Sequence, residues 1–267
     1  RFKGPIVLRE STNRTEEGIN TIEKLLISYA YNRANGVIAL SNGVANDLRH
    51  NFKIENDKIR VIYNPVDTDE IIKLSNLPVE KKDQHLFSKD TISIISVGRL
   101  FDQKDHQTLL KAFKLVAERY PVQLLILGQG PLESELKSLS EKLCINDKVH
   151  FLGFKKNPYV YMKCSDLFVL SSKFEGFGHV LVEAMVVKTP VISSNCPSGP
   201  EEVLCGGEYG ELFPVGNYED LAKKIMRMLE DKHRSNQLVE KSSSRVNNFK
   251  ANKIVQEYQD YFIEFMK

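Results

Sequence analysis

Two carboxylates, Glu175 and Glu183, stand eight positions apart around the run Gly176-Phe177-Gly178-His179. The first reads as a loop residue and the second as part of a helix that opens near residue 178. Glycines at a strand-to-helix turn leave backbone N–H groups uncovered at the positive end of the helix, a ready place for a diphosphate. Carboxylates accept hydrogen bonds from hydroxyl groups, so two of them beside an anion pocket point to a nucleotide-sugar. Glu183 also fits a plain surface position on a helix. Upstream, Arg99 and Lys104 follow Gly98, which permits a tight turn. An Arg fork and a Lys point charge in one turn could meet on a single phosphate. They could equally be two solvated loop cations.

Other chemistry is less well supported. Gly128-Gln129-Gly130-Pro131-Leu132-Glu133 spells G-x-G-x-x-E, with Glu133 where a dinucleotide fingerprint needs its third glycine. It reads as a structural turn, with Pro131 in the first turn of the helix that follows. His179 is a conceivable general base, although its place in the glycine turn suits lining a donor pocket. Asp67-Thr68-Asp69 reads as a solvated turn, and neither a metal nor a cofactor is expected. Cys144, Cys164, Cys196 and Cys205 form no C-x-x-C pair, which fits reduced thiols in the cytoplasm.

The elements that must carry these loops are legible from periodicity. Strand-like runs occur at 92–97, 123–127, 149–152, 167–170 and 190–193, with a helical segment at 106–119. Apolar strands alternating with helices predict a doubly wound, Rossmann-like parallel sheet covered on both faces. Ligands in such sheets bind at the carboxyl ends of strands, where the candidate loops lie. Before residue 67 the pattern is helix-strand-helix-strand, with strands at 37–40 and 59–63. Ile19, Ile22, Leu25, Leu26 and Tyr29 fall at helical spacing over 16–33. Arg9-Glu10-Ser11 follows a further apolar run and is either a cleft segment or a plain loop. Residues 68–90 lose the apolar period and read as a linker. Helices at 217–230 and 252–266, the latter with Ile254, Tyr258, Tyr261 and Phe265, close the chain on ordinary core faces.

Composition narrows the partners. Among 267 residues, Lys and Arg number 37 and Asp and Glu 35, for a formal net charge of +2. A nucleic-acid binder carries a basic excess, so nucleic acid is not an expected partner. With 42% hydrophobic residues the chain is no disordered tail. Its longest apolar runs, such as Leu124–Leu127, fall far short of the roughly 20 residues of a membrane span.

The motifs then combine. E-G-F-G-x-x-x-x-E-A-M at 175–185 resembles the signature of family 4 retaining glycosyltransferases of the two-domain GT-B fold. S-V-G-R-L-x-x-x-K at 96–104 resembles their phosphate-binding loop, and G-x-G-P-L, V-H-F-L-G-F at 149–154 and P-V-I-S occur in the family's order. The resemblance spans about residues 37–232.

It implies that Gly98, Arg99 and Lys104 bind the donor diphosphate and stabilise the departing nucleoside diphosphate. Glu183 would accept from ribose hydroxyls, and the backbone near Gly153 and Phe154 would meet the base. Glu175, with the backbone from Gly176 to Gly178, would hold the transferred sugar. The amides around Phe177, Gly178 and His179 would neutralise phosphate charge, so Arg99, Lys104 and Glu175 form the catalytic set. Glu175 and Glu183 are not read as the two carboxylates of a glycosidase.

The segment Ser194–Glu202 resembles enzymes that build bacterial surface polysaccharides, lipopolysaccharide or lipid-linked oligosaccharides. That implies a UDP-hexose or UDP-N-acetylhexosamine donor and a glycan or polyprenyl-linked acceptor. The setting would be the cytoplasm, with peripheral contact at the inner membrane face. A nucleotide-sugar-binding protein without transfer activity and a UDP-sugar epimerase of the same fold share these features. Transfer to an acceptor separates the enzyme from both. By domain, 1–67 matches the later part of the acceptor-binding domain, 68–90 the linker, 91–249 the donor domain and 250–267 a C-terminal helix. The glycine-rich loop of the family's first domain is absent from 1–67, so the start of that domain is expected to be missing.

Overall fold

Residues 4–88 and 90–266 are described by a computed structural model. The first part contains β1 (Val7–Glu10), α1 (Arg14–Glu17), α2 (Thr21–Arg33), β2 (Gly36–Ala39), α3 (Asn42–Asn51), β3 (Ile59–Val61) and α4 (Thr68–Ser75). Its three strands form a parallel sheet in the order β1-β2-β3, which leaves β1 on an edge. The second part runs β4 (Ile92–Val97), α5 (His106–Ala117), β5 (Val122–Leu127), α6 (Glu133–Lys142), β6 (Val149–Gly153), α7 (Tyr159–Cys164) and β7 (Leu167–Leu170). It continues with α8 (His179–Val186), β8 (Val191–Ser194), α9 (Pro200–Leu204), β9 (Glu211–Phe213), α10 (Tyr218–Glu230), α11 (Lys232–Val246) and α12 (Ala251–Glu264). Its six parallel strands take the order β6-β5-β4-β7-β8-β9. The expected doubly wound α/β architecture with a second, smaller parallel sheet is what the chain forms.

The strands are apolar on both faces because both faces are covered. Ile94, Leu124, Ile126 and Val169 pack under α5 and α10. Their neighbours Ile95, Leu125, Leu127 and Phe168 pack under α7 and α8. Each step along a strand swaps the side chain to the other core, which is the pleat at work.

Several segments differ from the sequence reading. The helix expected over 16–33 breaks at Gly18, where φ is 81°, and restarts as α2 behind a capping box of Asn20 and Glu23. The stripe on α2 faces outward: Ile22, Leu25, Leu26 and Tyr29 are 63–71% exposed. Only Ile27 and Tyr31 of that helix reach the core. The 68–90 stretch carries α4 and a 3-10 turn at 81–86, and Ile71, Val79 and Leu86 join the larger sheet's core. Strand β9 and helix α11 have too few apolar residues to announce themselves. Lastly, α12 crosses back to the first sheet, burying Ile254 and Tyr261 against Ile38 and Ile62.

Candidate active site

Strands β4 and β7 are neighbours, yet β5 lies on one side of them and β8 on the other. Such a reversal of strand order opens a crevice at the carboxyl ends, where open α/β sheets bind ligands. The loop Gly98–Lys104 follows β4 and the loop Ser171–Gly178 follows β7, so both candidate loops meet there. Three hydrogen bonds stitch them together. The Lys173 N–H donates to the Gln103 carbonyl at 2.8 Å, the Gln103 side chain to the Phe174 carbonyl at 2.9 Å, and the Ser171 hydroxyl to the Lys104 carbonyl at 2.8 Å.

Lys104 and Glu175 pair directly. The ammonium lies 2.5 Å from Glu175 Oε1, with the two side chains 15% and 9% exposed. The Ser172 hydroxyl donates to the same oxygen at 2.6 Å. The Lys104 stem passes over Gly98, where an added Cβ would come within 3.4 Å of it. The pair is thus fixed in place, with hydrogens left on Nζ and lone pairs left on the carboxylate for a ligand. Arg99 takes a different course: its guanidinium sits 5.1 Å over the Phe101 ring and is exposed. The two cations read together in the sequence therefore have different partners.

Gly98, Arg99, Gly128, Gln129, Phe154 and Pro158 line a cavity of about 290 Å³. Its mouth is built by backbone contact. A Cβ at Gly128, whose φ is 141°, would lie 1.9 Å from the Gly98 carbonyl oxygen. The Gly128 N–H donates to the Gly153 carbonyl at 2.9 Å. Phe154 offers a ring that is 72% exposed. Beside it the buried Lys155 donates to Asp83 at 2.6 Å and to Glu80 at 2.8 Å, and the Tyr161 hydroxyl donates to Asp83 at 2.7 Å. Burial works against the Asp83 charge, but those donors hold its carboxyl below the usual range. The segment expected as a linker thus anchors one wall of the cavity.

Glu183 lies in a second cluster. The Tyr159 hydroxyl donates to Glu183 Oε1 at 3.3 Å, and His179 Nε2 lies 3.6 Å from the same oxygen. Burial pushes the Glu183 carboxyl up, with the Tyr159 hydrogen bond opposing, and pushes the Tyr159 phenol to about 12. Burial also lowers His179, which keeps that ring neutral at pH 7. Because its folded pKa is raised, ionised Glu183 costs stability at neutral pH and that cost vanishes as pH falls through the raised value. Glu183→Gln is therefore expected to raise the melting temperature at pH 7, with the gain shrinking as the pH falls from the raised value toward the ordinary carboxylate range.

The remaining residues divide clearly. The Phe177 side chain is 3% exposed and turned into the protein, so only its backbone is available to a ligand. Gly178, with φ 82°, caps α8 without any side-chain hydrogen bond. Of Arg9-Glu10-Ser11, Arg9 binds Tyr258 and Asn64, and Glu10 is buried under Arg14 and Tyr31. Only the Ser11 carbonyl reaches the glycine loop, where a Cβ on Gly176 would lie 1.8 Å from it. Sequence reasoning missed Tyr159, whose partner Glu183 lies 24 residues on and leaves no trace in the local pattern, and gave no role to the Ser172 hydroxyl, although its partner Glu175 is only three residues away.

Sequence comparison places this crevice in a known family. The profile of the glycosyl transferases group 1 matches residues 79–245, more than half of the chain. The chain belongs to the glycosyl transferases group 1 family. The Glycosyltransferase Family 4 profile matches residues 9–70, which hold β2, β3 and the end of β1. An uncharacterised glycosyltransferase of Methanocaldococcus jannaschii is 37% identical over 68% of this chain and 45% of its own length. The Campylobacter jejuni N-acetylgalactosamine-N,N'-diacetylbacillosaminyl-diphospho-undecaprenol 4-alpha-N-acetylgalactosaminyltransferase is 32% identical over 91% of this chain and 64% of its own. The chain thus spans roughly half to two thirds of the length of these relatives. Anabaena HepE, solved with UDP and glucose, has the same fold, with a TM-score of 0.88 at 23% identity over 97% of this chain and 72% of that one. Among the described residues, no helix of this group 1 member is long and apolar enough to cross a membrane.

Proposed function

We propose that this chain binds a UDP-sugar and takes part in transferring its hexose or N-acetylhexosamine, with retention, to a glycan or polyprenyl-linked acceptor. The observation that carries this reading is the switch-point crevice, where the Lys104–Glu175 pair lies beside the Gly98–Phe154 cavity in a group 1 chain. The cavity takes the nucleoside, with the exposed Phe154 ring at the base and Glu183 at the ribose. Arg99, Lys104 and the amides of residues 176–179 hold the diphosphate. As the glycosidic bond breaks, negative charge grows on the leaving phosphate, and donors already in place stabilise it. Glu175 orients the sugar, and no divalent metal is needed. Support for the polyprenyl acceptor comes from the name of the Campylobacter relative, and for surface polysaccharide synthesis from a Staphylococcus aureus relative named for capsular polysaccharide biosynthesis. The setting is the cytoplasm, at the inner membrane face when the acceptor is lipid-linked.

A thermal-shift panel of UDP-, GDP- and ADP-sugars tests the donor. A rise with UDP-sugars alone is expected, and equal response to all three would sink the assignment. Arg99→Ala is expected to slow transfer by about a hundredfold. Its exposed position should leave the melting temperature unchanged.

A further inference from the structure

The two chain crossings between the sheets run side by side. The Val66 N–H donates to the Phe249 carbonyl at 2.8 Å, and the Ala251 N–H donates to the Val66 carbonyl at 3.0 Å. Next to this parallel bridge the rings of Tyr63 and Phe249 meet edge to face, 5.5 Å apart. Phe177, from the glycine loop, completes the group with its ring centroid 5.4 Å from each of them. Phe249 is fully buried and Arg245 lies 4.9 Å over its outer face.

The glycine loop is held elsewhere by its backbone: the Glu175 N–H donates to the Pro197 carbonyl at 3.2 Å, and Gly176 lies against the Ser11 carbonyl. Beyond the Glu175 carboxylate it consists of Gly176, Phe177 and Gly178 before α8 begins. Gly199 presses on it from the side, since a Cβ there would lie 2.3 Å from the Phe177 carbonyl oxygen. Tyr63 is itself tied down: its hydroxyl donates to Glu202 at 3.3 Å. The same carboxylate accepts the Asn42 and Gly43 N–H groups of α3 at 2.9 Å each. A continuous chain of contacts thus runs from the smaller sheet through Tyr63 to Phe177.

We propose that Tyr63 and Phe249 are positioning residues for the diphosphate site, acting through the Phe177 ring to fix the amides of residues 176–179. The inference rests on the donor reading above. Aromatic pairs prefer particular tilts and separations, so a ring held by two others holds its backbone better than an aliphatic side chain would. Hydrogen bonds to phosphate weaken steeply with misalignment, so a small rotation of the loop is felt there. The nucleoside end rests on Phe154, Gln129 and Glu183, outside the triad.

Calorimetry of the 267-residue chain with UDP and with uridine separates the two ends. Tyr63→Leu and Phe249→Leu are expected to weaken UDP binding about tenfold while leaving uridine within about twofold. Tyr63→Phe keeps the ring and is expected to bind both as the wild type does. Circular dichroism and melting curves establish that each variant is folded. Equal losses for UDP and uridine, or no loss in either leucine variant, would overturn the positioning role. So would a Tyr63→Phe variant as weak as Tyr63→Leu, since the hydroxyl bond and not the ring would then carry the effect. A wild-type chain that binds neither ligand would instead overturn the donor reading.

Discussion

Lys104→Ala is expected to lower the melting temperature by about 10 °C and to abolish transfer. The substitution removes the ammonium that lies 2.5 Å from Glu175 and leaves that carboxylate with only Ser172 as a side-chain donor. The Glu175 side chain is 9% exposed, so water replaces the ammonium only in part. Breaking a buried pair from one side costs about 3–5 kcal/mol, mostly because the remaining charge is uncompensated. Removing both charges should cost much less. The double variant Lys104→Met/Glu175→Gln is accordingly expected to regain most of the stability and none of the activity. Differential scanning calorimetry and a transfer assay run on both proteins check this. A Lys104→Ala chain that melts like the wild type would show that the pair is not a buried one in solution.

Gly176→Ala is the second large effect, and it acts through geometry alone. The new Cβ would fall 1.8 Å from the Ser11 carbonyl oxygen and 2.9 Å from its carbon, both main-chain atoms. Ser11 cannot swing aside easily, because Glu10 accepts the N–H groups of Ser11 and Thr12 at 2.8 and 3.2 Å. Glu10 is held in turn by Arg14 and Tyr31, each at 2.7 Å. The collision therefore pushes the glycine loop and the segment after β1 apart by more than an ångström. Displacements of that size in a catalytic array cost about a hundredfold in rate, which is the expected loss in transfer. Under the proposed donor reading uridine rests on other loops, and its affinity should be kept. Hydrogen exchange should report faster amides at residues 11–13, and unchanged exchange there would sink the prediction.

Much of this site is legible without coordinates. The Val97-Gly98-Arg99 and Leu170-Ser171-Ser172 boundaries are marked by apolar strands giving way to glycine and charge, and both loops emerged at the switch point. The E-x7-E spacing set Glu175 in a loop and Glu183 on a helix, as found. Where the reading fell short, the missing information was non-local. The apolar period of α2 says that four residues share a stripe, but not that the stripe is left 63–71% exposed. The polar run Lys81–His85 carries no period because its ordering comes from Lys155 and Tyr161 bonding to Asp83.

The sequence by itself determined the parallel strands, the loops that end them and the family to which they belong. The strands and loops follow from apolar runs, a helical period of about 3.6 residues and glycine at the turns, and the family from motifs it resembles such as E-G-F-G-x-x-x-x-E-A-M, all of them properties of neighbours along the chain. Tertiary structure alone decided that Lys104 holds Glu175 while Arg99 stacks on Phe101. It also decided that Phe177 is buried against the crossings, and that α12 returns to the first sheet. Those choices depend on which elements the crossovers bring face to face, and an amino-acid pattern records only that a side chain is buried, not against what.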